Sequence, residues 1–216
     1  GTVFSDQVLR ELAELVARNG LYTISDEVYE ALVFQGRHAP VERFDPEMTI
    51  SIYSFSKSFA LCGWRVGYVL SSPRLVREIQ RVQWNVAMNP CTIGQHVAAH
   101  CMENAGEYRD DILNKLERSF QVVRSHFKAD IVCHYPDAGY YLWLDIRDSN
   151  MDDIAFREAL WEAERMSVMP GSYFGEQGRG HIRMICSTEL DELLDAISRF
   201  KHFYLRRSEE HRLNSS

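Results

Sequence analysis

Tyr53-Ser54-Phe55-Ser56-Lys57 is the stretch whose reading decides the fold. It closes a run rich in β-formers that starts at Met48 and ends in two hydroxyl residues and a lysine, which predicts a strand, Met48 to Phe55, delivering polar groups at its end. Upstream, Leu21 to Val28 predicts a second short strand, and it carries the acidic pair Asp26-Glu27 with Tyr29 three residues beyond Asp26. Downstream, Arg65 follows Lys57 by eight residues at the start of a third predicted strand, Trp64 to Leu70. Ligands of open α/β sheets collect beyond the carboxyl ends of the strands, so both clusters are placed to face one crevice.

The rest of the chain supports that frame. Ser5 is a predicted N-cap for an amphipathic helix with Val8, Leu9, Leu12, Leu15 and Val16 on its spacing, stopped by Asn19-Gly20. Gln35 to Pro46 reads as a polar loop, and Pro73 opens a helix that runs to about Asn85. Two more helices are predicted, Thr92 to Asn104 and a longer one with Ile112, Leu116, Phe120, Val123 and Phe127 on one face. From there the pattern changes to strands at Ile131–His134, Gly139–Ile146 and His181–Cys186, a helix from Asp152 to Arg165, and a closing helix with Leu190, Leu193, Leu194, Ile197 and Phe200 on one face. The expected class is α/β, a mostly parallel sheet with flanking helices over residues 1–115, then a smaller α+β domain over 116–207 and a frayed polar tail over 208–216.

Composition narrows the partners. The 216 residues are 45% hydrophobic and 25% charged, ordinary for a globular chain, and the net charge of −7 argues against nucleic acid or an anionic membrane held by a basic face. No apolar run approaches the ~20 residues of a membrane span. Five scattered cysteines without a C-x-x-C pair predict buried, reduced thiols rather than a disulfide framework or a zinc site, and cytoplasm is the default compartment that goes with them. The eight histidines show no metal spacing, so no metal is expected.

Pyridoxal-phosphate chemistry requires an amine for a Schiff base, an acid for the pyridine nitrogen, and hydroxyl or cationic groups for the phosphate. Lys57, Asp26 and the set Ser54, Ser56 and Arg65 supply these at predicted strand ends. Taken singly, Asp26-Glu27 reads equally well as a strand-end cap, Tyr29 as a half-buried core aromatic and Arg183 as a surface ion-pair partner. Their joint order, with Arg65 at its offset from Lys57, is what separates the two interpretations.

The strings Ser25-Asp26-Glu27-Val28-Tyr29, Tyr53-Ser54-Phe55-Ser56-Lys57 and Gly63-Trp64-Arg65-Val66-Gly67-Tyr68 resemble the three cofactor motifs of the class I/II aminotransferases, which adopt PLP fold type I. Met169-Pro170-Gly171-Ser172-Tyr173-Phe174-Gly175 followed by His181-Ile182-Arg183 resembles the segment whose arginine grips the substrate carboxylate. The resemblance implies pyridoxal 5'-phosphate as cofactor, an amino acid and a 2-oxo acid as substrates, and a homodimer in the full-length protein. It implies that Lys57 forms the Schiff base and then moves the proton between the substrate Cα and C4′ of the cofactor. Asp26 would pair with the pyridinium nitrogen, Tyr29 bond the ring oxygen, Ser54, Ser56 and Arg65 hold the phosphate, and Arg183 bind the α-carboxylate. A bidentate guanidinium suits both anions.

Gly1-Thr2-Val3-Phe4-Ser5 resembles the text at the end of the family's Asn-Pro-x-Gly motif, so the chain is expected to be the C-terminal part of a longer protein and inactive alone. Two other outcomes stay open at this level. The same fold supports carbon–sulfur β-lyases and γ-elimination of sulfonium amino acids, and it also serves as a non-enzymatic ligand sensor.

Overall fold

The computed structural model describes residues 1–214, and the chain divides into two compact units. Thr2–Leu113 together with Asp137–Gly139 make one unit; Asn114–Pro136 and the residues from Tyr140 on make the other.

The first unit opens on α1 (Asp6–Arg18), whose N-cap Ser5 accepts the Val8 amide through its side chain at 3.4 Å. A cap of this kind stabilises a helix by about 1 kcal/mol. Leu9, Ala13 and Val16 form its buried stripe, and Leu9 packs with Ala39 and Val41. Three strands follow, β1 (Thr23–Asp26), β2 (Thr49–Ser54) and β3 (Gly67–Ser71), in the order β1-β2-β3. They are flanked by α3 (Pro73–Val86) and α4 (Thr92–Glu103).

The expected α/β class is what forms, with one parallel and one antiparallel pairing among these strands. β1 and β2 are parallel, with Asp26 opposite Ile52; β2 and β3 are antiparallel, with Ser54 opposite Gly67. The reason lies in the twelve-residue link between β2 and β3. It contains only the four-residue helix α2 (Phe55–Ser58) and a 3₁₀ turn at Cys62–Trp64, so it returns the chain to the end it left. A parallel crossover takes a dozen or more residues and usually a full helix to run back along the sheet, and neither of these short turns does so. Phe55 donates its amide to the Val66 carbonyl at 3.2 Å and accepts the Leu61 amide at 3.2 Å, closing the link on itself. Phe55 and Val66 bury against Ala98 and Cys101 of α4.

One continuous helix, α5 (Ala105–Phe127), contains the change from the first unit to the second. Asp137–Gly139, where the strand expected from Gly139 has not yet begun, returns to the first unit: Phe34 and Gln35 donate to the Asp137 carbonyl, Gly139 donates to the Leu32 carbonyl, and Val33 bridges Ala138.

The second unit is a four-stranded antiparallel sheet of β4 (Cys133–His134), β5 (Tyr141–Asp145), β6 (Met169–Pro170) and β7 (His181–Ile185), in the order β4-β5-β7-β6, with α6 (Asp153–Glu164) and α7 (Leu190–Asn214). Alternation sorts its faces. Leu142, Leu144, Ile182 and Met184 are buried, in a unit whose interior also holds Phe127, Phe156, Phe200 and Phe203. Tyr141, Trp143, His181 and Arg183 alternate with them on the other face and are half-buried. α7 continues as helix through the region expected to fray, to Asn214, and Ser208 within it is buried; Ser215 and Ser216 lie outside the described residues.

All five cysteines are free thiols. Burial holds for Cys101 and Cys186, whereas Cys133 is half-buried and Cys62, in a 3₁₀ turn, and Cys91, at the N-cap of α4, are exposed. Among the described residues, no helix is long and apolar enough to cross a membrane and no group of three or more His, Cys, Asp or Glu side chains could hold a metal ion.

Candidate active site

The pairing pattern of the first unit brings most of the sequence-predicted residues to one sheet end. Asp26 ends β1 and Ser54 ends β2 on the same side, since those strands run parallel. Ser56 and Lys57 follow at once on α2, and Arg65 lies two residues before Gly67, the partner of Ser54. Asp26 and Arg65 are exposed and Lys57 and Ser54 half-buried, while Ser56 is only 7% exposed.

Local chemistry explains the shape of this end. Ser54 caps α2, its Oγ accepting the Ser56 amide at 3.1 Å. That bond uses an acceptor of the hydroxyl and leaves its hydrogen to donate elsewhere. The Cys62 thiol donates to the Ser56 carbonyl at 3.0 Å, tying the link across its own mouth. Arg65 has a left-handed backbone, φ +55°, a conformation that costs a non-glycine residue about 1–3 kcal/mol and persists only where its surroundings impose it. Its Nη1 donates to the Cys62 carbonyl at 3.1 Å. Gly67 has no alternative: a Cβ there would lie 2.5 Å from the Tyr53 carbonyl oxygen. Tyr29 stands in the turn after β1, where its ring would meet a Cβ at Gly139 at 3.7 Å.

The donor set at this end is an amine, a carboxylate, two hydroxyls and a guanidinium, and it matches what a phosphorylated pyridine aldehyde needs from a protein.

On the other face of the same sheet lies a polar network that the sequence reading did not find. Glu42 accepts the Tyr53 hydroxyl at 2.7 Å and also the Ser51 hydroxyl. Glu27, 4% exposed, accepts from Ser25 Oγ at 2.7 Å and pairs with His38 Nε2. Tyr53 stacks on Tyr68 with centroids 4.8 Å apart. Burial, then the Glu42 contact, holds the Tyr53 hydroxyl far above the usual tyrosine range. Burial also pushes Glu30 up, opposed by His38 and Arg109 and reinforced by Glu27. Two cavities adjoin the network and share Glu30, Tyr53 and Arg109 in their walls. One of about 450 Å³ also includes Arg37 and His38, and one of about 180 Å³ includes Ser54, Phe55 and Tyr68. Lys57, Asp26 and Arg65 line neither. A glutamate twelve residues before Ser54 gives no signal in the sequence, because its partners reach it only through the strand register.

In the second unit, Arg183 stands on β7 directly opposite Trp143 of β5 and Met169 of β6. Its guanidinium lies 4.1 Å from the Tyr141 ring centroid and 4.3 Å from that of Phe174. Among the described residues it makes no hydrogen bond and no ion pair, unlike the surface ion-pair partner it could have been. Tyr141 belongs to the Tyr140-Tyr141-Leu142-Trp143 stretch, where sequence alternation shows a sheet segment but not which ring meets the arginine.

The chain matches the family profile of class I and II aminotransferases over residues 1–198, and members of that family use pyridoxal phosphate. It is 29% identical over 211 residues to a putative aminotransferase, YugH, of Bacillus subtilis, covering 94% of this chain and 53% of that protein. To an aspartate aminotransferase of Thermotoga maritima it is 30% identical over 207 residues, covering 94% and 52%. Among solved structures, an aromatic aminotransferase of Pyrococcus horikoshii superposes with a TM-score of 0.88 at 29% identity, over 95% of this chain and 57% of that one. The aspartate aminotransferase of Thermus thermophilus with maleate gives 0.86 at 27% identity, over 93% and 53%. The chain spans about half the length of these relatives.

Proposed function

The chain belongs to the class I and II aminotransferase family, and on that premise we propose that its protein moves the amino group of an amino acid to a 2-oxo acid, with pyridoxal phosphate held at Lys57. The observation that carries this is the gathering of Asp26, Ser54, Lys57 and Arg65 at one end of a single sheet. When bound, the cofactor supplies an aldehyde and an electron-withdrawing ring that stabilises charge at the substrate Cα.

The residues of this chain would do the rest. Lys57 Nζ would attach the group and take or return the proton at the substrate Cα, as general base and acid. Asp26 would accept the N–H of a protonated pyridine nitrogen, and its carboxylate charge would keep that proton in place. The Tyr29 hydroxyl would donate to the ring oxygen. Ser54, Ser56 and Arg65 would bind the phosphate; the open donor of Ser54 and the remaining donors of Arg65 support this. Arg183 would take the α-carboxylate, a role supported by a guanidinium with no other acceptor among the described residues.

Transfer is favoured over elimination by the aminotransferase names of the relatives above. An amino-acid panel given to the full-length protein without a second substrate tests it. Stoichiometric release of the 2-oxo acid with the amine retained on the cofactor is expected, whereas pyruvate and ammonia from a cysteine conjugate would make the protein a lyase. Because this chain spans about half of its relatives, we also propose that its 216 residues alone do not turn over. Steady transamination by the isolated chain would contradict that.

A further inference from the structure

We propose that Tyr141 and Phe174 are positioning residues for substrate binding, a two-ring clamp that fixes the plane of the Arg183 guanidinium so that its edge is presented to a carboxylate; this rests on the carboxylate role of Arg183 proposed above.

The two rings reach Arg183 from independent elements. Tyr141 is on β5, two residues before Trp143, the cross-strand partner of Arg183, and so sits diagonally to the arginine on the same sheet face. Phe174 closes the 3₁₀ turn Gly171–Phe174 after β6. The Cζ atom lies 4.1 Å from one centroid and 4.3 Å from the other, so the guanidinium is within cation–π distance of two rings carried by different elements. The rings occupy no N–H donor, and among the described residues those donors meet no other acceptor, so they stay open to a carboxylate.

Phe174 is itself held. Asp153 Oδ2 accepts the Ser172 amide at 2.6 Å, anchoring the turn to the start of α6. Gly171 and Gly178 approach so closely that a Cβ on Gly171 would lie 2.1 Å from the Gly178 carbonyl oxygen. Trp143 meets Phe174 edge to face at 5.8 Å and stacks on His181 at 5.6 Å, so the outer ring is buttressed from below.

A free arginine side chain must be ordered when it binds its ligand, and one already fixed is not; the clamp therefore acts on affinity for the carboxylate rather than on the chemical step. Its effect should appear in KM and be nearly absent from kcat.

The test uses the full-length holoenzyme and the variants Tyr141→Leu, Phe174→Leu, Tyr141→Phe and Arg183→Leu. Two readouts apply, KM and kcat for the best amino-acid donor and the inhibition constant of propionate, whose carboxylate is its only polar group. Each leucine variant at a ring should raise both KM and the propionate constant about 3- to 10-fold with kcat within about 2-fold, the range set by losing one cation–π contact. Tyr141→Phe, which keeps the ring face, should restore both constants to within about 2-fold of wild type. Phe174 is 48% exposed, so its replacement leaves the buried face of the sheet intact and tests the clamp even if Tyr141→Leu disturbs folding. A direct signature is available in arginine-labelled protein: the Arg183 Nε–H proton resonance should lie upfield through the ring currents and move back in either leucine variant.

If Arg183→Leu abolishes propionate inhibition while both ring variants leave every constant and the resonance unchanged, the clamp is wrong and the carboxylate role stands. If Arg183→Leu changes neither KM nor propionate inhibition, the carboxylate role itself is wrong and the clamp falls with it.

Discussion

Tyr53 donates its hydroxyl to Glu42 Oε1 at 2.7 Å, one residue before the serine that caps the lysine-bearing helix. Glu42 takes the Ser51 hydroxyl as well, so a single carboxylate fixes two side chains on the same face of β2. Replacing Glu42 by alanine strands two donors beneath the sheet. The expected cost is about 1–3 kcal/mol of stability, the penalty of unsatisfied buried polar groups. Urea unfolding of the full-length variant measures it, and a midpoint equal to wild type would show that the network contributes nothing.

Gly67→Ala should be far more damaging than Gly106→Ala. Its Cβ would press to 2.5 Å on the Tyr53 carbonyl, a backbone atom of the neighbouring strand that cannot rotate away. Overpacking of this kind costs about 1–3 kcal/mol or more, and here it would also spread Ser54 from its partner strand. Gly106 in α5 has nothing within 4 Å of its added Cβ, so Gly106→Ala should be neutral or stabilising by up to about 1 kcal/mol. Thermal unfolding of both variants, with cofactor absorbance for the first, checks the contrast; equal behaviour would contradict it.

Acid should loosen the turn that carries Phe174. Burial pushes the Asp153 carboxyl up, but contact with Ser172 and the helix amides outweighs it and leaves Asp153 below its ordinary 3.8. A carboxyl lowered in the folded state contributes stability that is present above its unfolded value and is lost as pH falls through the folded one. Asp153→Asn should therefore be less stable than wild type at neutral pH, with the difference shrinking once pH drops below about 3.8. A stability gap that stays constant down to acid pH would count against this assignment.

The α/β class and the placement of Asp26, Ser54, Ser56, Lys57 and Arg65 were legible in the sequence because each lies within a few residues of a strand end, and strand ends are marked by local pattern. What depended on register was not. The antiparallel return of β3 follows from a closed loop whose hydrogen bonds, Phe55 to Val66 and Leu61 to Phe55, have no local signature. Glu42 reaches Tyr53 and Ser51 through tertiary packing. Asp137–Gly139 joins the first unit through backbone bonds that leave no trace in composition. The clamp is an intermediate case: alternation along one strand sets Tyr141 and Trp143 on one face, but only the pairing of β5 with β7 brings Arg183 to that face and decides which ring stands beside it.

The proposed chemistry requires the cofactor on Lys57. Full-length protein loaded with pyridoxal phosphate, reduced with borohydride and digested, should carry the reduced cofactor on the peptide containing Lys57, with the visible absorbance of the loaded protein lost in Lys57→Ala. Cofactor recovered on a different lysine, or absorbance unchanged in Lys57→Ala, would show that Lys57 does not hold it.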